Sequence, residues 1–239
     1  MTTEAAAPER STVKVLERKI ETSSGSMVSS VWRVPANYDK ALGIILAHGA
    51  GSDMHDPLLS FIHEMLAQQG VLTVKFNFPY KERGRRAPDR APVLEATWRA
   101  VVGAVRHDTN LVPAELVLGG KSMGGRIASR VVAAGENCGA LLFLGYPLHP
   151  PRRPEALRTE HLPRIRCPML FIQGTRDALC NFDLLKRTLK QIFAPVMVHM
   201  VEGGDHSFEL PKRLGRSRQE VWREIEEVIA AWLASIIAA

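Results

Sequence analysis

A chain of 239 residues, 46% of them hydrophobic, is long enough for one large domain with a full core. Its three cysteines, Cys138, Cys167 and Cys180, are too few and too unpatterned for a disulfide framework or a zinc site, which points to a reduced, intracellular setting. A net charge of +6 is weak evidence for a nucleic-acid partner, and with no recognised binding module beside it no such partner is expected.

Residues 1–10, MTTEAAAPER, read as a disordered tail of small and charged residues, with the folded domain expected over 11–239. The tail has neither a basic start nor an apolar h-region, so no signal peptide is expected. The most apolar terminal stretch, 228–239, has 12 residues, too few to cross a bilayer. The expectation is a cytoplasmic protein with no membrane partner.

Two strand-like runs, 13–20 and 27–35, flank Ser23-Ser24-Gly25-Ser26 and predict an antiparallel hairpin. Residues 42–47, LGIILA, form a continuous apolar run of the kind buried on both faces, ending at His48-Gly49-Ala50-Gly51. Helical spacing follows over 58–69 with Gly70 as its stop, then a strand over 71–76 and a helix over 92–106. Further strands are predicted at 140–144, 169–173 and 196–201, and helices at 183–192 and 219–237. Strand and helix thus alternate from residue 42 onward, which implies a mostly parallel, doubly wound sheet with helices on both faces.

The informative stretch is 116–129, LVLGGKSMGGRIAS. The apolar run Leu116-Val117-Leu118 stops at two glycines, and a helix-like run with Ile127, Ala128, Val131 and Val132 follows. Read as strand, sharp turn and helix, it places Ser122 at the apex, and Gly120-Lys121-Ser122-Met123-Gly124 fits the nucleophile-elbow pattern G-x-S-x-G. Gly120-Lys121-Ser122 also resembles the end of a phosphate-binding loop. That motif needs a glycine at position 115, where the chain has Glu115, so the loop is too short to wrap a phosphate.

A serine hydroxyl becomes a good nucleophile only when a base takes its proton and a third group orients the base. In an open α/β sheet those groups come from loops beyond the carboxyl ends of strands. Two loops qualify, Gly174-Thr175-Arg176-Asp177 and Glu202-Gly203-Gly204-Asp205-His206-Ser207. The reading takes His206 as general base, ahead of His149, and Asp177 as its orienting acid. Of the competing carboxylates, Asp205 is read as shaping its loop and Asp183 as a helix cap. Two backbone N–H groups should meet the developing oxyanion, one from Met123 and one from Ala50, with Gly51 the second choice. His48 is read as ordering its loop, Asp53, His55 and Asp56 as solvating and capping the helix at Leu58 rather than binding metal, and Cys180 as a buried packer. No cofactor and no metal are expected.

Together the elbow, the His-Gly turn, the acid loop and the histidine loop resemble the α/β-hydrolase superfamily over residues 13–238. Within it the chain looks like the small serine hydrolases near dienelactone hydrolase. It also resembles the testis-expressed protein 30 group and its bacterial relatives, through HGAGSDM, FNFPYKERGRRAPDR and GKSMGGR. Dienelactone hydrolase itself uses a cysteine nucleophile where this chain has Ser122, so its particular substrate is not implied. The resemblance implies a serine esterase with the order Ser122, Asp177, His206 and no cofactor.

Three strand-following segments, 81–90, 150–158 and 207–218, together carry twelve positive and four negative side chains. Arg83, Arg85 and Arg86 are therefore candidates for an electropositive rim that favours anionic substrates or an acidic partner, against a bland reading of local ion pairs to Glu82 or Asp89. Only 24 Pro- and Arg-rich residues separate Leu144 from Met169, too few for a lid domain, so small soluble esters are the expected substrates. A thioesterase or peptidase could use the same machinery, and a catalytically silent scaffold binding an acidic partner is the alternative from another class.

Overall fold

A computed structural model describes residues 12–237; the predicted tail lies outside the described residues. Eight strands form one sheet: β1 (Val13–Glu21), β2 (Met27–Pro35), β3 (Leu42–Ala47), β4 (Leu72–Phe76), β5 (Glu115–Lys121), β6 (Ala140–Leu144), β7 (Met169–Gly174) and β8 (Val196–Val201). Their order is β1-β2-β4-β3-β5-β6-β7-β8. The predicted hairpin pairs β1 with β2, β2 pairs antiparallel with β4, and every later pairing is parallel. The chain winds from β3 outward to β4, then returns to the other side of β3 with β5. Beside β3 and β5, then, the order reverses, and loops leaving the two strands part to form a crevice.

Six helices cover the sheet: α1 (Pro57–Gln68), α2 (Pro79–Glu82), α3 (Ala91–Arg106), α4 (Met123–Ala133), α5 (Phe182–Leu189) and α6 (Arg218–Ile237). Strand alternation divides the core. On β3, Ile44 and Leu46 pack with Leu58, Leu59, Ile62 and Leu66 of α1 and Ile225 and Ile229 of α6. Ile45 and Ala47 face the other way, toward Trp98, Val101 and Val105 of α3 and Ile127 and Val131 of α4. β3, β4, β6 and β7 are buried at every residue, which is why β3 and β6 read as continuous apolar runs; β4 also buries Thr73 and Lys75, and β7 buries Gln173. Each fully buried leucine or isoleucine stabilises the fold by about 1.5–3 kcal/mol.

The sequence reading missed α2, a four-residue helix opened by Pro79, because one turn shows no periodicity. The helix predicted over 183–192 is shorter, and its cap is Asn181, whose side chain accepts the Leu184 N–H, not Asp183. Asp183 sits in the first turn, where a negative charge suits the positive end of the helix. Between β6 and β7 the chain carries only a single 3-10 turn, Leu162–Arg164, and no lid. Among the described residues no helix is long and apolar enough to cross a membrane.

Candidate active site

Ser122 caps α4 with φ 52° and ψ −116°, a strained left-handed backbone for a residue with a side chain. Two glycines make the turn possible. A Cβ at Gly120 or at Gly124 would run into the carbonyl oxygen of Ala47, so the backbone on either side of the serine lies directly against the end of β3. The Ser122 N–H donates to the Leu144 carbonyl at 2.9 Å, which ties the elbow to the end of β6. Its neighbour Lys121 reaches away from the cleft, with Nζ 2.9 Å from Asp56 Oδ2.

Two loops bring the partners. Beyond β7, the Asp177 N–H donates to the Gly174 carbonyl at 3.2 Å and turns the chain back toward the sheet. Beyond β8, Thr175 and Arg176 donate to the carbonyls of Val201 and Gly204, and Gly203 N–H donates to Thr175 Oγ1 at 2.7 Å, so the two loops are laced together. Asp205 Oδ1 accepts from the N–H groups of Ser207 and Glu209, and the Phe208 ring is buried in the core beneath. This fixes the loop from which His206 projects.

The three side chains meet in a line. His206 Nε2 lies 2.8 Å from Ser122 Oγ, and His206 Nδ1 lies 2.7 Å from Asp177 Oδ2. The carboxylate of Asp177 can only accept, so Nδ1 carries the proton and Nε2 presents its lone pair to the serine hydroxyl. Asp177 has no solvent-exposed side-chain surface, while His206 keeps a quarter of its own. The remaining capacity of Asp177 is filled: Oδ1 accepts from Leu179 N–H at 2.7 Å and Oδ2 also accepts from the Gln173 amide. Gln173 in turn accepts from Tyr146 N–H at 2.9 Å, which fixes the orientation of its amide. Gln173 went unnoticed in the sequence, where it is only the polar residue near the end of an apolar strand.

The other candidates lie elsewhere. His149 is engaged on both nitrogens, donating from Nδ1 to the Pro150 carbonyl and accepting at Nε2 from Asn181 N–H, so it pins two loops. His48 donates from Nδ1 to the Gly49 carbonyl at 2.8 Å and accepts at Nε2 from Phe78 N–H. Burial lowers its pKa to about 4, so the ring is neutral and orders the turn. Asp56 caps α1 through the N–H groups of Leu58 and Leu59, and among the described residues no cluster of His, Cys, Asp and Glu could hold a metal ion. Cys180 is buried in the core, where burial and Asp177 push its thiol pKa up to about 12.

A cleft of about 320 Å³ opens over Ser122, lined among others by Ala50, Met123, Arg126, Leu179, Asp89 and Arg158. Met123 N–H is the first of α4, and neither it nor Ala50 N–H has an acceptor among the described residues. The Ala50 turn is held from behind by Tyr80, whose hydroxyl donates to the Ala50 carbonyl at 2.9 Å. Gly51 is exposed beyond it and does not line the cleft. At the rim, Arg83 and Arg85 both engage Asp89, while Arg86 is exposed and forms no ion pair among the described residues.

Comparison with known proteins agrees with this architecture. A family model described as an alpha/beta hydrolase domain matches residues 40–234. Among solved structures, the chain is similar to an α/β serine hydrolase homologue from Coxiella burnetii, with a TM-score of 0.72 at 20% identity over 91% of this chain and 97% of that one. It is also similar to a dienelactone hydrolase from Anabaena variabilis, with a TM-score of 0.73 at 20% identity over 93% and 98%. A serine hydrolase without a lid from Xanthomonas campestris gives a TM-score of 0.68 at 19% identity over 96% and 98%.

Proposed function

Because the chain belongs to the α/β-hydrolase family, we propose that it is a serine hydrolase, a carboxylesterase acting on small soluble esters through an acyl-enzyme on Ser122. The observation that carries the reading is the unbroken line Asp177–His206–Ser122 at the floor of an open cleft.

In this reading His206 Nε2 takes the proton as Ser122 Oγ attacks the ester carbonyl, and the oxygen gains negative charge. The free N–H groups of Met123 and Ala50 are the donors that receive it, helped by the positive end of α4. Collapse of the tetrahedral species breaks the bond to the alcohol, which leaves with the proton from His206. Water then repeats the sequence on the acyl-enzyme and releases the acid. Asp177 keeps the imidazole in the required tautomer and stabilises its charged form, without taking the proton.

The small uncovered cleft favours short acyl groups, and it requires no lid opening. Thioesters and amides would pass through the same steps, and the triad geometry does not separate them. The proposal sets the enzyme in the cytoplasm, where its three free thiols stay reduced. The partner is the small-molecule ester itself, with no nucleic acid or membrane.

The test is labelling with a fluorophosphonate probe. The native chain should label and Ser122→Ala should not, and a panel of p-nitrophenyl esters should show a preference for short acyl chains. An unlabelled native chain would overturn the enzyme reading and leave a scaffold that binds an acidic partner through its basic rim.

A further inference from the structure

Arg126 lies one helical turn beyond Ser122, on the same side of α4, and both side chains line the cleft. Its Nε is buried without a hydrogen-bond partner, and no carboxylate comes within ion-pair distance of its guanidinium among the described residues. The carboxylates nearby are committed elsewhere. Glu95 binds Arg130 at 2.7 Å, and the exposed Glu160 lies 4.0 Å from the same Arg130. Asp89, the acidic residue on the cleft wall, is held by Arg83 and Arg85. Burial lowers the pKa of Arg126 from the ordinary arginine value, yet a guanidinium remains charged at any physiological pH.

A second arginine faces the same space. Arg158 comes from the connector between β6 and β7, and no ion pair involves it among the described residues. Its backbone is fixed: its N–H donates to the Leu148 carbonyl at 2.8 Å, and its own carbonyl accepts from the Tyr146 hydroxyl at 2.8 Å. A half-buried cation with an unused donor costs stability unless something pairs with it. Among the described residues nothing does so, and both arginines line the cleft.

We propose that Arg126 and Arg158 form an anion subsite beside Ser122, and that the preferred substrates are esters whose acyl chain ends in a carboxylate, that is, half-esters of short dicarboxylic acids. The planar, two-pronged carboxylate matches the guanidinium fork and would supply the counter-charge that neither arginine finds among the described residues. This deepens the serine-hydrolase reading and rests on it. It also moves the source of anion selectivity from the rim arginines, Arg83 and Arg85, which are already paired, to the cleft itself.

Two measurements separate this inference from the reading it rests on. The first compares p-nitrophenyl hydrogen glutarate with its methyl ester, which has the same scissile bond and no charge. Native protein should favour the charged ester about 10- to 100-fold in kcat/KM, the range expected for hydrogen bonds to an ionised group. That ratio should collapse toward one in Arg126→Met and in Arg158→Met, recover in part in Arg126→Lys, and shrink with added salt. Equal rates on the two esters would overturn the subsite while leaving the hydrolase reading intact. The second measurement does not need turnover: calorimetric titration of Ser122→Ala with monoethyl glutarate. It should bind, the diethyl ester should not, and adding Arg126→Met or Arg158→Met should abolish binding. Equal binding of the two esters, or none of the charged one, would overturn the subsite. Binding in the absence of any fluorophosphonate labelling would retain the anion site and overturn only the hydrolase reading. The two methionine variants lie on separate elements, so misfolding of one, detected by circular dichroism, leaves the other as the test.

Discussion

Asp56 and Lys121 are a part-buried ion pair that joins the start of one helix to the turn before another. One carboxylate oxygen caps α1 through Leu58 and Leu59, and the other takes Lys121 Nζ at 2.9 Å. Lys121 is adjacent to Ser122, so the pair sets the elbow against α1 from the side opposite the cleft. Asp56→Ala removes the cap and leaves Lys121 unpaired, at a cost of about 3–5 kcal/mol. Asp56→Asn keeps the cap and should cost less. Urea denaturation of the two variants checks the order; equal midpoints would show that the cap on α1 contributes nothing.

Tyr80 acts through the Ala50 turn. Its hydroxyl donates to the Ala50 carbonyl, and His48 holds the same turn through Gly49. Tyr80→Phe removes one hydrogen bond, worth about 1 kcal/mol, and frees the amide proposed to meet the oxyanion. The expected result is a fall of about tenfold in kcat with KM nearly unchanged, measured on p-nitrophenyl acetate. A change confined to KM would place Tyr80 in substrate binding instead.

Three buried histidines make stability depend on pH. Burial, the largest cause in each case, lowers the pKa of His48 and His161 to about 4 and of His63 to about 3, the last with help from Lys75 and Arg33. In the unfolded chain a histidine takes up its proton near pH 6.5. Between that pH and about 4 the unfolded state therefore binds more protons, and stability falls as the pH is lowered through that window. Each ring should cost about 1 kcal/mol one pH unit below its unfolded value. Urea midpoints at neutral and mildly acidic pH test the slope, and His63→Gln should flatten it. A midpoint that rose on acidification would contradict the argument.

Ser122 carries its own strain. At φ 52° a glycine is far more comfortable than any side chain, so Ser122→Gly should stabilise the fold by about 1–2 kcal/mol, whereas Ser122→Ala should not. Both lose the proposed nucleophile, so only their melting temperatures differ. Equal melting temperatures would show that the turn stores no strain.

Much of the fold was legible because it rests on burial and period. The runs 42–47, 140–144 and 196–201 coincide with β3, β6 and β8, since a strand covered on both faces, or flanked by clear turns, announces its ends. The order of the strand-following loops likewise put Ser122, Asp177 and His206 at one end of the sheet. What could not be read was contact. Position after a strand favoured Asp177 over Asp205, but that Asp177 reaches His206 while Asp205 turns back on its own loop is visible only in the fold. Gln173 and Tyr80 act on neighbours that are distant in sequence. Arg126 did leave a signal, its spacing of four from Ser122 on a helix, but its missing partner appears only when the surrounding carboxylates are located.

The carbonyl of Ala47 faces both Gly120 and Gly124, with no space for a side chain at either. The end of β3 and the first turn of α4 are therefore one mechanical piece, although 72 residues of chain lie between Ala47 and Gly120 on the way. Redesign of either loop alone would shift the serine relative to the Ala50 amide, so the pair must be grafted or evolved together. An ancestor could diversify freely in the connectors around the cleft, where substrate choice is written, while this joint stayed closed to change.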